Sequence, residues 1–189
     1  MKAPEGLNWE KEAVVKAQQD AKYFGILYEY YFPKIYNYIS YRLRNQQLAE
    51  DLTAETFLKA FDNLDKFQWR NRSFACWLYT IARNQMVDYF RHKDTLPVED
   101  SFLESIPDEE NPEKVFLEKD LRRYWIELIK TLSPDQQDVL LLRFQEGLKL
   151  KEIASILCKN EGAVKGLLFR GLRSLRKNIE EGGLEYEKR

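Results

Sequence analysis

Between Asp94 and Glu113 the chain reads DTLPVEDSFLESIPDEENPE, with three prolines, eight acidic residues and no basic one. Proline removes a backbone donor and fixes φ, and charge of a single sign repels itself. The stretch therefore reads as a flexible acidic linker rather than a packed element. It divides the 189 residues into two blocks, each of which must build its own core. By composition alone, a spacer that only adds solubility would look the same.

Both blocks read as helical. Outside the linker Gly and Pro are scarce, and strand-like alternation is hard to find. Ala21 to Arg44 has the spacing of an amphipathic helix, with Pro33 allowing a bend or break. LAEDLTAETFLKAF predicts the next helix, with Ala54, Phe57, Leu58 and Phe61 as its core stripe. A third helix runs from about Ser73 to Arg91, with Phe74, Leu78, Ile81, Ala82, Gln85 and Tyr89 facing inward.

Past the linker, apolar spacing predicts a helix from Val115 to Lys130. LSPDQQDVLLLRFQEGL is clearly punctuated. Ser133 suits the N-cap, Pro134 the first helical position, Gln136 the reciprocal capping-box position and Gly147 the left-handed C-terminal position. LKEIASIL is a short helix, CKN a turn, and Asn160 an N-cap for the helix that starts at Glu161. The expected architecture is all-α. It has an N-terminal arm (1–20), a helical domain (21–93), the linker (94–114), a second helical domain (115–180) and a frayed tail (181–189).

In the second block, two helices joined by a tight turn make a helix-turn-helix unit, whose second helix enters the major groove of DNA. On that helix Val164, Leu168, Leu172, Leu175 and Ile179 recur at steps of three and four and are expected in the core. Lys165, Phe169, Arg170, Arg173 and Lys177 fall off the stripe. Its early residues can reach base edges and its later arginines phosphates, with Arg143 adding a backbone contact. An ordinary helical hairpin with a solvated basic face has the same composition.

The first block carries FQWRNRSFACWLYTIARNQMVDYFRHKD, which interleaves aromatics with arginines. On its helix Trp77, Thr80, Asn84, Asp88 and Arg91 share one arc beside the core stripe, while Tyr79 reads as core. Trp69, Arg70, Asn71 and Arg72 lie in the loop just before it. Bases freed from a duplex stack on aromatic rings while basic side chains follow the backbone, so this surface suits an opened strand.

Several classes of function are excluded. Cys76, Cys158 and His92 are too few and too far apart for a zinc site or a disulfide framework, so no metal is expected. There is no Gly-rich phosphate loop and no catalytic constellation, so neither a cofactor nor an enzyme activity is expected. No signal-peptide pattern and no long apolar run occurs, which points to a cytoplasmic protein with no membrane insertion. The net charge of −1 is too low for a chain that holds naked DNA by itself, so any DNA binding is local or helped by a partner.

AEDLTAETFLKAF, FACWLYTIARNQMVDYFR and LSPDQQDVLLLRFQEGLKLKEIASILCKNEGAVKGLLFRGLRSLRK, in that order, resemble the bacterial sigma-70 family of transcription initiation factors, in its small two-domain extracytoplasmic-function group. The resemblance implies a first domain that docks on core RNA polymerase through Asp51, Glu55, Thr56 and Phe57. It implies −10 promoter contacts at Trp69, Arg70, Asn71, Arg72, Trp77, Asn84, Asp88 and Arg91. It implies −35 contacts at Lys165, Gly166, Phe169 and Arg170, with Arg143 on phosphate, and Arg173 joins them from its place on the basic face. Ala163, Gly166, Leu167 and Leu172 depart from the usual recognition-helix pattern and thin its basic side chains. The family is often held inactive by an anti-sigma factor, which the resemblance makes a candidate partner. The alternative is a helix-turn-helix regulator that works without polymerase, its first domain sensing a ligand or mediating dimers.

Overall fold

The structure is a computed structural model that describes residues 8–43, 45–69, 72–93, 124–125 and 127–186. Arg70, Asn71, the acidic linker, the first part of the helix expected from Val115 and the last three residues lie outside the described residues. The chain divides into two compact units near Phe102. Every regular element among the described residues is a helix. None of the described helices is long and apolar enough to cross a membrane.

The first unit holds α1 (Trp9–Gln19), α2 (Phe24–Leu43), α3 (Gln46–Asp62) and α4 (Phe74–Lys93), with short 3-10 turns at Ala21–Tyr23 and Leu64–Lys66. Its core is made by Leu27, Ile35, Tyr38 and Ile39 of α2 against Phe74, Leu78, Tyr79 and Met86 of α4, all fully buried. Tyr38 and Tyr79 meet edge to face at 5.4 Å between ring centres, a favoured aromatic geometry. α2 passes through Pro33 without a break. Pro33 and Glu29 are both exposed, so water can take the Glu29 carbonyl that lost its donor.

Two expectations for this unit are corrected. The N-terminal arm contains α1, which buries Ala13, Val14 and Ala17. Three small side chains at helical spacing are a weak signal, and only the packing reveals them. The inward face of α3 is Ala49, Leu52, Thr53, Thr56, Phe57 and Ala60, so Phe57 is buried as expected while Ala54, Leu58 and Phe61 of the expected stripe are exposed. Leu58 is 59% exposed and Phe61 41%. The reason is chemical: the Thr53 hydroxyl donates to the Ala49 carbonyl at 2.6 Å and the Thr56 hydroxyl to that of Leu52 at 2.7 Å. Each threonine is satisfied by its own helix and can be buried like an apolar residue. On α4, Phe74, Leu78, Ala82 and Gln85 are buried as expected, while Ile81 and Tyr89 are only half-buried.

The second unit holds α5 (Pro134–Leu140), which continues as a π-helical turn over Leu141–Gln145, then α6 (Leu150–Ile156) and α7 (Glu161–Tyr186). The Ser133 N–H donates to Gln136 Oε1 at 3.0 Å, the reciprocal half of a capping box. Gly147 has φ +69°, and Asn160 Oδ1 accepts from the Ala163 N–H at 2.7 Å, so both ends fall where the sequence puts them. α7 runs through Gly182 and Gly183 to Tyr186, beyond the expected start of the tail. Glycine lowers helix propensity but keeps its N–H for the ladder.

The core stripe of α7 also differs from expectation. Val164, Gly171 and Leu175 are buried and Leu168 is half-buried, whereas Leu172 and Ile179 are exposed. α5 packs across Gly171. A Cβ there would stand 3.2 Å from Leu140 Cδ1 and 3.6 Å from Gln136 Cβ. The helices meet where a side chain is missing, which turns Leu172 outward. Leu128, Leu132, Leu140 and Leu175 close the cluster, flanked by Tyr124 and Leu168.

Candidate nucleic-acid interface

α4 and the end of α3 enclose an open groove of about 550 Å³, lined by Lys59, Asn63, Lys66, Phe67, Trp77, Ile81, Asn84, Gln85 and Asp88. Trp77, Asn84 and Asp88 of the predicted arc come together here. Trp77 is half-buried, with its ring centre 5.0 Å from Phe67 and 5.6 Å from Phe74. The neighbouring rings hold one side of the indole. Gln85 is 6% exposed and its side-chain amide meets the Thr56 hydroxyl.

The opposite wall is not among the sequence expectations. Lys59, Asn63 and Lys66 lie on α3 and the turn after it, and only packing sets them against α4. Asn63 donates to the Lys59 carbonyl at 2.9 Å and accepts from Lys66 Nζ at 3.1 Å. Lys59 also pairs with Glu55 at 2.7 Å. Two lysines close behind the DLTAETF motif are the only sequence signal for this wall.

Other predicted −10 residues stand beside the groove. Arg91 is exposed and pairs with Asp88 at 3.2 Å. Trp69 sits edge-on to Phe67 at 5.3 Å, and its buried indole N–H has no acceptor among the described residues. Arg72 is exposed, and Arg70 and Asn71 lie outside the described residues.

On α3, Asp51 and Glu55 are exposed, whereas Thr56 and Phe57 are 0% and 3% exposed. The last two therefore brace the acidic face from beneath and offer no surface of their own. The Lys59 ammonium holds the Glu55 carboxyl below the usual carboxylate range, against a smaller opposing effect of burial. The Gln85 amide pulls the same way more weakly, without the geometry of a full hydrogen bond.

On α7, Lys165, Phe169, Arg170 and Arg173 are exposed on one side, with Phe169 at 69%. Lys165 lies 3.6 Å from Glu161. Gly166 serves as space, because the Arg170 guanidinium lies over it and a Cβ would be 3.1 Å from Arg170 Nη1. Arg143 is exposed and donates to the Leu148 carbonyl at 2.9 Å, which fixes the loop into α6. Lys159 of the turn pairs with Asp135 at 3.0 Å. The basic face is thus carried by a helix tied to the rest of its unit.

Comparison with known proteins agrees with this division. The family model "Sigma-70 region 2" matches residues 27–95 and "Sigma-70, region 4" matches residues 122–175. The chain is 40% identical over 167 residues to the ECF RNA polymerase sigma factor BldN of Streptomyces coelicolor, which is 87% of this chain and 63% of that protein. It is 32% identical over 178 residues to the ECF RNA polymerase sigma factor SigW of Bacillus subtilis, covering 89% of this chain and 94% of that one. The solved structure of CnrH in complex with the cytosolic domain of CnrY shares the fold, with a TM-score of 0.71 at 20% identity, over 91% of this chain and 97% of that one. With both sigma-70 regions matched in order and a relative such as SigW covered almost end to end, the chain belongs to the extracytoplasmic-function group of sigma-70 family RNA polymerase sigma factors.

Proposed function

We propose that this sigma factor binds core RNA polymerase and directs promoter-specific initiation, its first unit taking the opened −10 strand and its second reading the −35 duplex. The observation that carries the reading is the groove in which Trp77, Asn84 and Asp88 face Lys59 and Lys66. An unpaired base brings a π face for the indole and hydrogen-bonding edges for the amide and carboxylate. Its phosphates meet the lysines, which the sequence alone did not single out. Trp69 and Arg72 extend the path along the loop and Arg91 at its far end, and Arg70 and Asn71 are proposed as further −10 contacts.

Asp51 and Glu55 form the acidic face offered to core polymerase, with Thr56 and Phe57 supporting it. Lys165, Phe169, Arg170 and Arg173 face the −35 major groove, and Arg143 a phosphate. The acidic linker joins the two units within the polymerase assembly. The protein works in the cytoplasm, with no cofactor and no catalytic step of its own. CnrH is seen in complex with the cytosolic domain of CnrY, and an anti-sigma partner is proposed for this chain as well. The polymerase-independent regulator is disfavoured because it leaves the groove without a ligand.

The test is to mix the purified chain with core polymerase and follow co-elution and start-site-specific transcripts from promoter DNA. Both are expected. Tight binding to a duplex operator by the chain alone, with no co-elution, would overturn the reading.

A further inference from the structure

The region 2 match begins at residue 27, so it gives α1 no task. α1 nevertheless touches both ends of the segment that carries Trp69 and Arg72. At one end Gln18 Nε2 donates to the Leu64 carbonyl at 2.8 Å and to the Phe67 carbonyl at 3.0 Å. The Leu64 carbonyl also accepts from the Phe67 N–H at 3.1 Å, so the chain leaves its 3-10 turn in a closed knot of bonds.

At the other end Glu10 Oε1 accepts from the Ala75 N–H at 3.0 Å, and the Tyr31 hydroxyl donates to the same oxygen. Ala75 lies in the first turn of α4, where backbone N–H groups have no partner within the helix and an anion is favoured. Ser73 Oγ accepts from the next one, Cys76 N–H, at 3.2 Å. Glu10 therefore completes the start of α4 from a different helix.

Eight residues of helix separate Gln18 from Glu10, or about 12 Å along the axis. One rigid element thus grips two anchor points on either side of the segment, and a helix does not stretch. All three acceptor and donor groups it grips at the ends are backbone atoms, so the grip sets spacing and leaves the side chains between them free to differ.

We infer that α1 is a brace that fixes the separation of the loop ends at Phe67 and Ala75, with Gln18 and Glu10 as positioning residues for promoter opening. The inference rests on the proposed −10 reading. Opening requires Trp69 and Trp77 to stand at a fixed spacing when the strand arrives, and a loose loop would have to be ordered at that moment, at a cost in entropy.

The test uses the full chain assembled with core polymerase. Gln18→Met removes both donors and keeps the length of the side chain. Glu10→Ala removes the acceptor, while Glu10→Gln keeps an oxygen for both of its donors. Permanganate reactivity of −10 thymines is expected to fall about fivefold in Gln18→Met and in Glu10→Ala, and to stay within about twofold in Glu10→Gln. Affinity for core polymerase stays unchanged, while the unfolding midpoint of the free chain falls by the few degrees that the loss of one or two hydrogen bonds implies. Amide exchange at Ala75 in the free chain quickens in Glu10→Ala.

Unchanged opening in both Gln18→Met and Glu10→Ala overturns the inference. So does a Glu10→Gln variant as impaired as Glu10→Ala, or a loss of polymerase affinity in step with opening. If Glu10→Ala fails to fold, Gln18→Met decides alone. Failure of the underlying reading has another pattern: Trp77→Ala and Arg72→Ala leave opening intact while Ala75 exchange still responds to Glu10→Ala. That result reduces the brace to a packing contact and removes its role in opening.

Discussion

α4 and α7 both mix aromatic, apolar and basic residues, yet they hold them in opposite ways. On α4 the Trp77 ring is half-buried against Phe67 and Phe74, and the polar residues share its groove. On α7 Lys165, Phe169, Arg170 and Arg173 stand out from the surface. A ring held from behind can receive a second ring without losing much freedom, whereas an exposed side chain must be ordered when its partner arrives. The first unit is therefore built for stacking and hydrogen bonding, and the second for charge and reach.

Trp77→Ala tests that contrast most severely. Stacking on an aromatic is worth about 1–3 kcal/mol per base, so promoter opening is expected to fall about tenfold or more. Polymerase affinity and −35 duplex binding should be unchanged, which permanganate footprinting and equilibrium binding would separate. An equal loss of polymerase affinity would mean that Trp77 only holds the core.

A comparable effect on stability is expected at the helix crossing of the second unit. Gly171→Val forces side-chain atoms into Leu140 and Gln136. Overpacking of this kind costs about 1–3 kcal/mol. Thermal unfolding should show a lower midpoint for the second unit while the first unit's transition stays in place. A shift of both transitions would contradict separate cores.

Next in size is the charge dependence of α7. Arg170→Ala and Arg173→Ala are expected to weaken holoenzyme binding to promoter DNA. An arginine that neutralises a phosphate adds about 0.9 to the steepness of log K against log salt, and its removal makes the slope shallower by that amount. An arginine that reads a base instead relaxes sequence preference when removed and leaves the slope alone. Binding measured over a series of salt concentrations on matched and altered −35 sequences tells the two apart for each arginine.

The smallest effect belongs to Glu55→Gln. The Glu55–Lys59 pair is half-exposed, and pairs of this type on a helix contribute about 0.3–0.5 kcal/mol. Because Lys59 lowers the folded pKa of Glu55, the contribution is present above the ordinary carboxylate range and is lost as pH falls through the folded value. Chemical denaturation at neutral pH and at successively lower pH should show wild type and variant converging in acid. A large loss of polymerase affinity with this small stability change would assign Glu55 to the docking face.

The helices α2 to α7, the punctuation at Ser133, Gly147 and Asn160 and the residues Trp77, Asn84 and Asp88 were legible in the sequence. What was illegible has particular causes. Thr53 and Thr56 read as polar but bury, because their hydroxyls bond within their own helix. Leu172 reads as core but faces outward, because Gly171 lets α5 approach on the adjacent side. α1 has too few large apolar residues to announce itself, although Gln18 and Glu10 reach across the unit.

The order of residues alone dictates that this protein is helical, that an acidic proline-bearing stretch divides it, and which family it resembles. Those properties rest on periodicity, caps and motif order, all readable within a few turns of chain. Tertiary packing was needed to establish which face of α3 turns inward, that Lys59 and Lys66 share a groove with Trp77 and Asn84, and that α1 grips both Leu64–Phe67 and Ala75. These depend on how closely backbones far apart in sequence can approach, and that is set by where side chains are small, absent or already satisfied.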